Sequence, residues 1–144
     1  MKISTKGRYA LCFIIELAKQ PSDQYVALKE VCESQHISKK YLEQIIPLMS
    51  KMDFLDAIRG NNGGYRLKKD PKDISLYDIL SSTENESRLV KCVDVALCER
   101  SHLCHSRPVW LELDALVLDF LKNKTIQDIL DDEDSQTASN QHYL

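Results

Sequence analysis

The stretch from Ile37 to Leu67 constrains this chain most, because it joins a helical period to a glycine-rich hairpin. Ser38 stands where an N-cap belongs. Tyr41, Leu42, Ile45, Ile46 and Met49 then recur at the spacing of a buried helical stripe. Lys39, Lys40, Glu43 and Gln44 fall on the opposite, polar face. After Phe54 and Leu55 come the run from Asp56 to Arg59, the tip Gly60-Asn-Asn-Gly-Gly64, and the run from Tyr65 to Leu67. Asn62-Gly63 predicts a tight primed turn, which needs positive φ at both central residues. Arg59 and Arg66 flank that tip. A helix with a basic polar face beside a basic hairpin is the layout of a winged helix-turn-helix. In that layout the helix enters the DNA major groove and the wing lies along a neighbouring backbone or minor groove. The fold class is therefore mainly α.

The residues before this stretch supply the rest of the motif. The spacing predicts a first helix over residues 4–19, capped by Ser4 or Thr5, with Ala10, Leu11, Ile14, Ile15, Leu17 and Ala18 facing a core. Lys2, Lys6 and Arg8 lie at its polar start, placed either for phosphate or for water. Tyr25-Val-Ala reads as a short extended piece, residues 28–35 as a second helix, and His36-Ile37 as the turn into the third. Pro47 lies inside that third helix and removes one backbone donor, which predicts a kink or an early end beyond the base-reading turns. Cys12 and Cys32 sit among apolar helical neighbours, as buried free cysteines commonly do.

Beyond the hairpin, Ser75 and Asp78 have the spacing of a capping box opening a short helix to about Ser81. Arg107-Pro108 opens a longer helix, with proline suited to its first turn. Its stripe is Val109, Trp110, Leu113, Leu116, Val117, Phe120 and Leu121. A domain this small has limited core for a second long apolar helix, so the stripe packs on its own domain or on a second copy. Residues 125–130 form a last short helix. The chain divides into a DNA-binding domain over 1–82, a cysteine-rich loop over 83–106, a dimerisation and terminal helix segment over 107–130, and a disordered acidic and polar tail over 131–144.

Net charge is −3, which by itself argues against a DNA partner. The distribution reverses that. Residues 1–72 carry 13 Lys and Arg against 8 Asp and Glu, net +5, and residues 73–144 carry 6 against 14, net −8. The basic half contains the reading helix and the wing. No apolar run reaches membrane-spanning length and the N-terminus lacks a signal-peptide apolar region, so the expected location is cytoplasmic. The odd count of five cysteines without an export signal argues against a disulfide framework.

Three of those cysteines, Cys92, Cys98 and Cys104, are spaced C-x5-C-x5-C among polar residues, with His105 directly after the last. Soft thiolates in a polar loop favour a zinc, copper or iron–sulfur site. The spacing is not the C-x2-C of common zinc ribbons. Redox-switching thiols and cysteines without a role are the other readings. Lys91, Arg100 and Arg107 would favour thiolates and balance a cluster's charge. No C-x-x-C, phosphate-binding glycine loop or paired nucleophile and base supports an enzyme.

Taken together, the opening Met1-Lys-Ile-Ser-Thr-Lys-Gly-Arg-Tyr-Ala10, the run from Ile37 to Gln44, the wing from Arg59 to Tyr65 and the cysteine triad followed by Trp110 resemble the Rrf2 regulators, the group of IscR, NsrR and CymR. The resemblance covers nearly the whole chain except the tail. It implies a homodimeric bacterial transcription regulator, such as a repressor, that binds double-stranded operator DNA. Ser38, Lys39, Lys40, Tyr41, Gln44, Arg59 and Arg66 would face DNA. Val109, Trp110, Leu113, Leu116, Val117 and Phe120 would form the dimer interface. Cys92, Cys98 and Cys104 would hold a 2Fe–2S or 4Fe–4S cluster acting as a redox sensor. Where IscR-type members have a histidine three residues after the last cysteine, this chain has Arg107. Where NsrR-type members use an aspartate of the first helix, it has Arg8. His105 is the expected fourth ligand, with His102, a partner-chain residue or an exogenous group as alternatives. The competing reading is a cluster-free, CymR-like repressor controlled by a protein partner or by thiol redox state.

Overall fold

The computed structural model describes residues 2–85, 93 and 98–141. Among the described residues, six α-helices and one two-stranded sheet follow in chain order: α1 (Thr5–Ala18), α2 (Leu28–Gln35), α3 (Lys39–Ser50), β1 (Leu55–Ile58), β2 (Gly64–Leu67), α4 (Leu76–Thr83), α5 (Arg107–Asn123) and α6 (Ile126–Gln141). This is the mainly α, winged helix-turn-helix order that the sequence predicts.

Local chemistry explains most boundaries. Ser4 caps α1 by accepting from the Gly7 N–H, and Ser38 caps α3 by accepting from the Tyr41 N–H. Helix α2 ends at His36, which takes the left-handed conformation at φ 53° and turns the chain into α3. Ser75 and Asp78 form a full capping box at the start of α4. Pro47 does not end α3, which runs on to Ser50. Pro47 and Glu43 one turn earlier both lie on the exposed face of α3, where a carbonyl that loses its intrahelical partner can be hydrated.

The hairpin departs from the expected two-residue turn. Ile58 pairs with Gly64, which leaves a five-residue tip from Arg59 to Gly63. Its turn is closed by the Gly63 N–H donating to the Gly60 carbonyl at 3.0 Å, and Gly60, not Asn62, takes the positive φ, at 113°. Asn62 therefore occupies an ordinary turn position. Val26 adds a bridge to the hairpin's inner edge, exchanging backbone hydrogen bonds with Tyr65 at 2.8 and 2.9 Å.

One core unites the fold. Phe13, Ile14, Leu42, Ile45, Met49, Phe54, Ile79 and Ile126 are completely or almost completely buried within it. Ile126 brings the final helix into the domain. The Leu76 N–H donates to Lys124 and the Ile126 N–H donates to Ile74, pinning the α5–α6 junction to the start of α4. Helix α6 differs most from the sequence reading: it continues to Gln141 where a tail is expected from residue 131. Its first three turns fold back along the body, with Glu133 paired to Lys19 at 2.8 Å and Asp132 paired to Lys124.

Candidate nucleic-acid interface and cysteine segment

Helix α3 divides cleanly by face. Leu42, Ile45, Ile46 and Met49 are buried, while Ser38, Lys39, Lys40, Glu43 and Gln44 are exposed. Lys40 and Gln44 lie one turn apart, so both project from the same exposed face. Lys39 pairs loosely with Glu43 at 4.0 Å, with both side chains more than half exposed, which leaves it largely available to a stronger anion. Tyr41 is half-buried: its ring meets Tyr9 of α1 edge-on, with centroids 5.3 Å apart. It sits at the margin between core and reading face.

The two wing arginines separate. Arg59 is exposed at the tip beside Gly60, Asn61 and Asn62. Arg66 is half-buried on β2, bonded to Asp56 across the strands and stacked 4.6 Å over the Tyr25 ring. Of the two arginines expected to face DNA, Arg59 is the exposed one, while the guanidinium of Arg66 is engaged by Asp56 and Tyr25 within the hairpin. The lysines that follow β2 are engaged as well, Lys68 with Asp53 at 2.6 Å and Lys69 over Phe54. Sequence spacing could not reveal these partners, since Tyr25 lies far from the hairpin in the chain.

Of the cysteine triad, Cys92 lies outside the described residues. Cys98 and Cys104 are half-buried free thiols. Cys104 sits two residues before the α5 N-cap position, its Sγ 3.3 Å from the Ser106 hydroxyl. That hydroxyl, the backbone N–H groups of Ser106 and Arg107, and the charge of Arg100 hold the Cys104 thiol below its ordinary range. His102 and His105 are exposed. Among the described residues no three His, Cys, Asp or Glu side chains gather into a metal-binding group. Arg107 faces inward: it donates to the Val93 carbonyl at 3.3 Å, and its Nε is buried without a partner among the described residues. The donor chemistry fits a thiolate-held group, with a thiolate-favouring Cys104 and cationic neighbours. Arg107 supplies positive charge there and no ligand.

Helix α5 carries the remaining signal. Val109, Leu113, Leu116 and Phe120 are 57%, 42%, 64% and 58% exposed, with Trp110 exposed and Val117 half-buried beside them. Only Leu121 of this stripe is buried within the chain. No helix among the described residues is long and apolar enough to cross a membrane.

A winged helix-turn-helix with a basic reading face defines a DNA-binding transcription regulator. Comparison with known proteins assigns it further. The family model described as "Rrf2: Iron-dependent Transcriptional regulator" matches residues 3–132. The HTH-type transcriptional regulator IscR of Photobacterium profundum is 31% identical over 139 residues, which is 96% of this chain and 81% of that protein. The solved structure of CymR, the global cysteine regulator of B. subtilis, superposes with a TM-score of 0.76 at 32% identity, over 90% of this chain and 95% of that one. T. potens IscR superposes at 0.71 with 31% identity, over 92% and 88%. The chain belongs to the Rrf2 family, whose members regulate transcription and are not enzymes.

Proposed function

We propose that this protein binds operator DNA in the cytoplasm as a homodimer, and that a group held by Cys92, Cys98 and Cys104 modulates that binding. The observation that carries the proposal is the pairing of two unsatisfied surfaces. Lys40, Gln44 and Arg59 present an exposed basic face suited to a groove, and α5 presents an exposed apolar stripe suited to a second copy. Two readers joined by α5 would meet a pseudo-palindromic site. The IscR relatives support an iron–sulfur cluster as the held group, and the depressed Cys104 thiol is chemically suited to it. When bound, such a cluster supplies a centre sensitive to redox state and to cluster supply. Cys98 and Cys104 would ligate it from both sides of the exposed turn at Glu99 and Arg100, Arg107 would balance its charge, and His105 is the candidate fourth ligand.

The test is reconstitution under anaerobic conditions with iron and sulfide, followed by absorption spectroscopy and metal analysis, on wild type and on Cys98→Ser. Visible bands and bound iron that vanish in Cys98→Ser support the proposal. Wild-type iron content and DNA affinity in Cys98→Ser would sink it. A second reading rests on Arg107, which occupies the position where IscR-type relatives carry a ligand and is turned toward Val93. In that reading the protein is a cluster-free, CymR-like repressor controlled by a protein partner or by thiol oxidation. A colourless, iron-free protein with unchanged operator binding selects it.

A further inference from the structure

Helix α1 begins in an unfavourable electrostatic setting. Its N-terminal turn contains no acidic residue, and Lys2, Lys6 and Arg8 crowd the positive end of the helix dipole. The missing anion arrives from the C-cap of α4. Glu84 accepts hydrogen bonds from the Ser4 hydroxyl at 2.6 Å and from the Ser4 N–H at 3.3 and 3.4 Å. The same Ser4 hydroxyl accepts from the Gly7 N–H at 3.0 Å, so the cap of α1 and the grip on Glu84 are one network. Thr83 adds a hydrogen bond to the carboxylate at 3.2 Å. Gly7 makes the contact sterically open, because a Cβ built there would fall on the Glu84 carboxylate. A buried glycine inside a helix costs stability relative to alanine, and room for Glu84 is what it provides here.

The opening turns of α1, from Ser4 to Tyr9, then connect this clasp to the reading helix. Tyr9 packs edge-on against Tyr41, which lies in the first turn of α3 beside Lys39 and Lys40. Glu84 also stands at the start of the stretch over 83–106 that carries the cysteines. We infer that Glu84 is a positioning residue: its clasp on Ser4 and Gly7 sets α1, and through the Tyr9–Tyr41 contact sets the first turn of α3, relative to the helix that leads into the cysteine segment. The inference rests on α3 being the DNA-reading helix. It gives the C-terminal end of α4 a contiguous packed route to that helix within one chain.

Backbone amide exchange tests the route without DNA. Glu84→Gln keeps the side chain's shape and removes its charge. Gly7→Ala displaces the carboxylate while raising intrinsic helix propensity. Both variants should speed exchange in the first turns of α1 and α3, at residues 7–9 and 41–43, and leave α2 and the hairpin at wild-type rates. A purely structural role would instead speed exchange across the whole domain or in α1 alone, and either pattern overturns the inference, as does wild-type exchange at residues 41–43. The second measurement is affinity for a duplex enriched by the wild-type protein from a random-sequence pool. Glu84→Gln should weaken it by roughly threefold to tenfold, the scale of one altered charge-assisted hydrogen bond. Wild-type affinity in both variants overturns the inference. If the wild-type protein enriches no duplex, the DNA-reading role of α3 fails by itself and the exchange pattern still decides whether the clasp sets α3.

Discussion

Arg66 lies directly across the hairpin from Asp56, with Nη2 3.3 Å from Oδ2, and this pair closes the base of the wing. The stacked Tyr25 ring holds the guanidinium from the other side. The arrangement separates two arginines that look equivalent in sequence. Arg66→Ala should lower stability by about 1 kcal/mol, the combined scale of a partly exposed ion pair and a cation–π contact. Arg59→Ala should leave thermal unfolding unchanged and weaken DNA binding. Denaturation curves and fluorescence anisotropy with duplex DNA check both halves. Equal loss of DNA affinity in the two variants, without a stability change in Arg66→Ala, would contradict the assignment.

The exposed face of α3 makes a second pair of substitutions informative. Lys40→Ala should weaken specific and nonspecific duplexes alike, and should reduce the slope of log affinity against log salt by about 0.9 if one phosphate contact is lost. Gln44→Ala should cost about 1–3 kcal/mol at the selected site and relax its sequence preference, leaving the salt slope unaltered. Titrations across a range of salt separate these behaviours. An unchanged slope in Lys40→Ala would remove that lysine from the phosphate contacts.

Most of the reading domain was legible because its cues are local. The N-caps at Ser4 and Ser38, the capping box at Ser75 and the apolar stripe of α3 all act within a few residues, and each appears where the spacing predicts. What the spacing does not carry is mostly long-range. Arg66 stacks on Tyr25, Glu84 joins the Ser4 cap from the end of α4, and α6 persists past residue 131 while Lys19 and Lys124 pair with acidic residues that look like a solvated tail. The Asn62-Gly63 signal failed differently. The register that pairs Ile58 with Gly64 moves the turn one step back and gives the positive φ to Gly60. Val26 imposes that register, since its backbone already bonds Tyr65 and leaves space only for a glycine at position 64.

That last contact yields a stability prediction. A Cβ at Gly64 would collide with the Val26 carbonyl and the Ala27 nitrogen, backbone atoms that cannot rotate away. Gly64→Ala should therefore break the Val26–Tyr65 bridge and destabilise the domain by about 1–3 kcal/mol, the range for overpacking a tight site. Gly60→Ala meets open space but must adopt a left-handed φ, and should cost about 1 kcal/mol. Urea denaturation of the two variants gives the ranking. A Gly64→Ala protein as stable as wild type would show that the hairpin can leave Val26 without loss.

The apolar face of α5 makes the strongest demand on a partner. Leu116 and Phe120, one helical turn apart, are both more than half exposed, and Val109 and Leu113 extend the same surface. Closing this face in a twofold dimer would bury each side chain twice, at about 1.5–3 kcal/mol for each large apolar group. Leu116→Lys places two charges in that interface and should raise the dimer dissociation constant by about a hundredfold or more. The chain's single tryptophan, Trp110, lies beside the face and reports the event directly. In wild type its emission should shift to the red on dilution, as Trp110 becomes exposed to water. In Leu116→Lys the red-shifted emission should already be present at micromolar concentration, and sedimentation should show a monomer that retains the folded circular dichroism spectrum. Affinity for a palindromic duplex should fall with it, while weak binding to a single half-site should survive, because α3 and Arg59 are untouched. A wild-type protein that sediments as a monomer at micromolar concentration and binds the full site with undiminished affinity would leave the α5 face without the role argued for it.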